Sequence, residues 1–156
     1  MCQMVPWESF QCLLSLTYNI ELQTSWPGKS VGNPSKTIFS GPSRLPQLQH
    51  LHVNYYTRFA PSWIRDIYAP LDTIYRYDIN RTIEDSSSFP CLQGFHAEVK
   101  CKVTRRNVEG CDSYLLDEDK LVQLVVDRLP AVFGSGGRKE TQGWITSIVS
   151  DVWRRT

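Results

Sequence analysis

No apolar run in this 156-residue chain approaches the ~18–20 residues that a membrane-spanning helix needs, so no transmembrane segment is expected. The opening residues, Met1 to Phe10, place no basic segment ahead of an apolar stretch. No secretory signal is therefore expected, and the chain reads as intracellular and cytoplasmic. The glycine that myristoylation requires is missing too. Charge of one sign is also lacking: the formal net charge is +1, so an anionic partner would have to be met by a local basic patch. The five cysteines, Cys2, Cys12, Cys91, Cys101 and Cys111, form no C-x-x-C pair. An odd count without a signal favours reduced thiols. No internal repeat or low-complexity tract is evident.

Catalytic signatures are equally scarce. No G-x-S-x-G elbow occurs. Gly134–Lys139 looks like a phosphate-binding loop, but a helix is expected before it and the Lys-Ser/Thr pairing is absent. It reads instead as a helix–helix connector with a basic tip. His50-x-His52 puts two imidazoles on the outward face of an expected strand, with His96 or Glu98 as third ligand from another strand. No acidic or Cys partner lies at a metal-site spacing nearby, so a solvated pair is expected, with no metal and no cofactor. Cys12 and Cys101 are in phase with the apolar sets of their strands and are expected to be buried and inert. Asp117–Asp119 suits the acidic first turn of a helix better than a calcium loop.

What is present is an ordinary globular composition, 41% apolar and 21% charged, in a length that fits a single domain over residues 1–156. Phe10, Leu14, Leu16, Tyr18, Ile20 and Leu22 share one parity with Cys12, which predicts a long half-buried strand over 10–24. From Trp26 to Pro46 the chain is punctuated by proline and glycine and reads as a long loop, with a short strand at Thr37–Phe39. His50–Phe59 alternates again. Pro61 opens an expected short helix that ends before Pro70, and Thr73–Ile79 is a weaker strand. Glu84–Ser88 is a turn. Phe95, Ala97, Val99, Cys101 and Val103 alternate against His96, Glu98, Lys100 and Lys102, the second strong strand signal, and Arg105–Cys111 is read as a turn. Asp117 caps an expected helix with a Leu121, Leu124, Val125, Leu129 stripe ended by Pro130. Trp144, Ile145, Ile148, Val152 and Trp153 predict a second amphipathic helix. Strands first and helices last imply an α+β fold: a mostly antiparallel sheet with two C-terminal amphipathic helices packed on one face.

The coherent charge feature is a basic stripe. Lys100 and Lys102 share an outward strand face, and Arg105 and Arg106 continue it. Arg138 with Lys139, and Arg154 with Arg155, form two further clusters. Together these are candidate contacts to the phosphates of RNA or of anionic lipid.

Phe95, Val99, Lys100 and Val103, then Tyr114, the Leu121–Leu129 helix, the Gly134–Lys139 loop and the Trp144–Trp153 helix form a layout that resembles rhabdovirus matrix proteins. The likeness covers residues 95–153 only. The N-terminus lacks that family's Lys-rich arm and Pro-Pro-x-Tyr motif, while Tyr68-Ala69-Pro70-Leu71 fits the looser Tyr-x-x-Leu form. The resemblance implies a virion structural protein beneath the envelope, self-associating into oligomers and bridging anionic membrane and nucleocapsid RNA. The expectation is thus a non-enzymatic assembly or interaction protein. The alternatives are a small enzyme with a histidine-based site assembled across strands, and a host-directed effector binding a cellular protein through Trp7, Trp26 or Tyr56.

Overall fold

The computed structural model describes residues 10–22, 45–59, 79–106 and 117–154, with 58–59, 103–106 and 151–154 as backbone only. Its centre is a sheet of four strands, β1 (Ser15–Glu21), β2 (His50–Phe59), β3 (Gly94–Arg106) and β4 (Gln142–Arg154), arranged in chain order. Every neighbouring pair is parallel, which overturns the expected antiparallel sheet. Alternation assigns residues to faces but carries no information on strand direction. A parallel pair needs a crossover of a dozen or more residues, and all three connections are long enough.

The crossovers supply α1 (Ile79–Glu84) before β3, and α2 (Glu118–Arg128) and α3 (Pro130–Phe133) before β4. Ile79 therefore begins a helix rather than closing a strand; residues 73–78, the expected helix after Pro61, the Thr37–Phe39 strand, Tyr114 and nearly all of the Trp26–Pro46 loop lie outside the described residues. The capped helix stands where it was expected. Asp117 Oδ1 accepts from the amides of Asp119 (3.0 Å) and Lys120 (3.2 Å), and Leu121 and Val125 are buried. The second expected helix does not form: Trp144–Trp153 lies within β4. Its apolar residues fit a helical stripe and both faces of a strand equally well, and tertiary pairing with β3 decided between them.

In register, Leu16, Leu51 and Phe95 stand side by side, as do Tyr18, Val53 and Ala97, and then Ile20, Tyr55 and Val99. Three residues before each leading member come Leu13, Leu48 and Leu92, whose amides bond back to the carbonyls of Phe10, Leu45 and Phe89. The chain thus repeats one turn-and-strand unit, with Leu at its third-before position each time. This corrects the expectation of no internal repeat. The strands begin at Ser15, His50, Gly94 and Gln142, and the uneven intervals hide the recurrence from a fixed-period search. The expected strand over 10–24 is correspondingly shorter: Phe10, Cys12 and Leu14 belong to the turn and are exposed, whereas Leu13 is partly buried.

The helices cover the inward face. Leu51, Tyr55, Phe95 and Val99 meet Ile83, Leu121 and Val125 in one cluster. At β4 the unit changes: Gly143 occupies the row of Leu51 and Phe95, and a side chain there would meet Phe133 and Val132 atoms at 2.5 Å. Phe133 fills the row instead, edge-to-face on Phe95 at 6.2 Å. Arg138 donates to the carbonyls of Phe89 (2.8 Å) and Ile83 (3.4 Å), tying the turn before β4 to the unit before it. Asn80 Oδ1 accepts from the Ala131 amide, seating α3 on α1.

Candidate functional site: the outward face of the sheet

The residues between the inward rows form the opposite face. Parallel sheets are ordinarily covered on both faces. Here the outward side chains of the middle and last strands include Tyr56 (37% exposed), Trp144 (46%) and Ile148 (49%). Parallel register brings Thr17, His52, His96 and Trp144 into one row. The next rows hold Asn19, Asn54, Glu98 and Thr146, then Glu21, Tyr56, Lys100 and Ile148.

The polar groups form one connected chain across these rows. His52 and His96 stack with ring centroids 4.3 Å apart and 18° between planes. His96 Nε2 lies 2.7 Å from Thr146 Oγ1. His52 Nε2 lies 3.3 Å from Glu98 Oε2. Glu98 Oε1 in turn meets Lys100 Nζ at 2.9 Å, and Lys100 donates to the Tyr56 hydroxyl at 3.4 Å. On the β1 side, Asn54 donates to Asn19 Oδ1 at 2.8 Å. Burial, and then the charge of His52, lower the pKa of His96, against the opposing pull of Glu98. The hydrogen bond from Lys100 holds the Glu98 carboxyl below its ordinary range, and the same bond raises Lys100.

Gly94 shapes the top of this face. A side chain at that position would stand 2.7 Å from His50 Nδ1 and 3.0 Å from the Trp144 ring. Glycine therefore lets the indole lie across the backbone of β3 beside the imidazole. Further along the face, level with the end of β1 and midway along β3 and β4, a cleft of about 530 Å³ opens between Glu21, Tyr56, Lys100, Lys102 and Ile148.

The residues singled out in the sequence distribute unevenly over this geometry. His50, His52 and His96 do face outward together, and Glu98 joins them. Among the described residues no group of three His, Cys, Asp or Glu side chains is placed to hold a metal. Lys100 and Lys102 share the face as expected, but Lys100 is engaged by Glu98. Arg138 is turned inward onto backbone carbonyls. Lys139 is exposed in the turn before β4. Arg105 and Arg106 continue β3, and Arg154 ends β4, as backbone; Arg155 lies outside the described residues. Arg105 and Arg106 are therefore strand rather than the start of the expected Arg105–Cys111 turn, and residues 107–111 lie outside the described residues. Cys101 is buried as expected, and burial pushes its thiol up to about 12. Cys12 corrects its expectation: it is exposed, because it sits in the turn ahead of β1. Sequence reading missed that Trp144 joins the His52–His96 row and that Tyr56 and Ile148 flank Lys100, since only parallel register brings them there.

Fold and face together define a class: among the described residues, a stack of parallel strand units in chain order with helices on one side of the sheet and Tyr56, Trp144 and Ile148 exposed on the other. This is the arrangement of strand-and-helix solenoids. No protein-family model matches the chain, and no curated protein or solved structure is significantly similar to it. Among the described residues no helix is long and apolar enough to cross a membrane.

Proposed function

We propose that this chain is a non-enzymatic interaction protein that holds a partner protein against the outward face of its parallel sheet. The observation that carries the reading is the contrast in cover: helices pack on the inward rows, while Trp144, Ile148 and Tyr56 stand exposed on the other side. Trp and Tyr in such positions are the residue types that dominate protein-binding hot spots. Solenoids of this kind use their open sheet as an extended binding surface. The His52–His96–Glu98–Lys100 chain lies on an open face rather than in a closed cavity, and that favours binding over catalysis.

Among the described side chains, the charge pattern favours a protein over a polyphosphate. Lys100 is neutralised by Glu98, and the Arg138 guanidinium donates to carbonyls of the fold. Salt-dependent RNA or lipid binding draws on several free cations at once.

Replacing Trp144 and Ile148 together by serine tests the reading. Both side chains are about half buried, so a loss of about 1–2 kcal/mol per site is expected in chemical denaturation, and the variant is used where that measurement shows it folded. Partner capture from lysate, compared between wild type and the double variant, should lose the captured protein in the variant. A partner retained equally by both proteins overturns the proposal.

A further inference from the structure

The cleft level with the end of β1 and midway along β3 and β4 has a composition that narrows its occupant; the inference rests on the reading of the outward face as a recognition surface. Its volume of about 530 Å³ accommodates one or two side chains of a ligand. Tyr56 and Ile148 supply apolar walls, and both are exposed. Of the two lysines at the cleft, Lys100 already contacts Glu98 and the Tyr56 hydroxyl. Lys102 is exposed and has no acidic partner among the described residues. Glu21 stands at the opposite wall, on β1. The cleft is thus polarised, with a free cation and an apolar wall on its β3–β4 side and a carboxylate on its β1 side.

The spacing of these groups sets the ligand pattern. Lys100 is the register partner of Ile148, so Lys102 lies diagonally across from Ile148 on the neighbouring strand. Diagonal neighbours on one sheet face are about 7–8 Å apart. Alternate side chains of an extended peptide project to one side at nearly the same interval, roughly 6.6–6.8 Å. We propose that this cleft binds an extended acidic peptide segment of a partner protein, in which a carboxylate side chain meets Lys102 and an apolar side chain two residues away packs on Ile148 and Tyr56.

The test uses the full chain and a fluorescein-labelled synthetic peptide, Gly-Ser-Glu-Thr-Leu-Ser-Gly, read by fluorescence anisotropy. Saturable binding is expected. Replacing the peptide glutamate by glutamine, or making Lys102→Glu, should weaken it by about five- to tenfold, whereas Lys102→Arg should retain it. Ile148→Ser should weaken it comparably, and raising salt should weaken the acidic peptide but not its glutamine analogue. No saturation at millimolar peptide overturns the proposal. Equal binding of the glutamate and glutamine peptides, or a labelled RNA oligonucleotide that binds through Lys102 while the peptide does not, also overturns it. The two readings separate cleanly. If the Trp144/Ile148 double variant loses partner capture but Lys102→Glu keeps it, the cleft proposal fails and the recognition face stands. If the double variant captures normally, the recognition reading itself fails.

Discussion

The two faces of this sheet are written by alternate residues of the same strands, yet they answer to different physics. Inward, Leu51, Tyr55, Phe95 and Val99 are sealed beneath Ile83, Leu121 and Val125, and the residue types are set by volume and apolarity. Outward, His52, His96, Glu98 and Lys100 touch one another across strands through stacking and charge, with aromatic and aliphatic side chains left exposed beside them. The inward face tolerates little change in shape. On the outward face the exposed Tyr56, Trp144 and Ile148 are less constrained by packing than Asn54 and Glu98, which are held by hydrogen bonds and ion pairs. β4 joins both regimes: its inward side is thinned by Gly143 so that Phe133 fits, and its outward side carries Trp144 and Ile148.

The largest effect should come from emptying the inward side. Phe95→Ala removes a fully buried ring that also meets Phe133, and about 3–5 kcal/mol of unfolding free energy should be lost in urea denaturation. A loss under about 1 kcal/mol would mean that the inward rows are not the core. Gly143→Val probes the seam between α3 and β4. The added atoms meet Phe133 and Val132 inside van der Waals distance, so a cost of about 1–3 kcal/mol is expected by the same measurement.

The smallest effect belongs to the outward face and is read by pH. His96 has a pKa below its unfolded value near 6.5, so the unfolded chain takes up that proton first. The stability linked to His96 is full above about pH 6.5 and is lost as pH falls towards its folded value. Glu98, also lowered, adds a separate loss further down, as pH falls through its own folded value. In an NMR titration of the imidazole resonances, His52→Gln should raise the His96 pKa part of the way back, because the charge of His52 is removed while burial persists. An unchanged His96 titration would show that the stacked pair is not electrostatically coupled.

Much of the local structure was legible beforehand. Strict alternation placed His50–Phe59 and Phe95–Val103 in strands and sorted their residues to the correct faces, because side chains on a strand alternate whatever it pairs with. Asp117, with an acidic first turn and an apolar stripe ending at Pro130, marked α2, since capping and amphipathicity are properties of the helix itself. Trp144–Trp153 was not legible. Its apolar residues fall on both faces, and one of those faces is the exposed one, so the signal that normally separates strand from helix was blurred by the feature of functional interest.

The sequence by itself determined which residues alternate, where α2 starts, and that no motif of a known catalytic class is present. Those properties reside in nearest neighbours and short spacings. Only the tertiary structure decided that the strands run parallel in chain order, that the unevenly spaced Leu13, Leu48 and Leu92 turns are one recurring unit, and that His52 meets His96 and Lys102 lies diagonal to Ile148. Strand direction and register depend on long connections folding back onto the sheet. Residues some forty positions apart therefore become neighbours through hydrogen-bond pairing that no local pattern encodes.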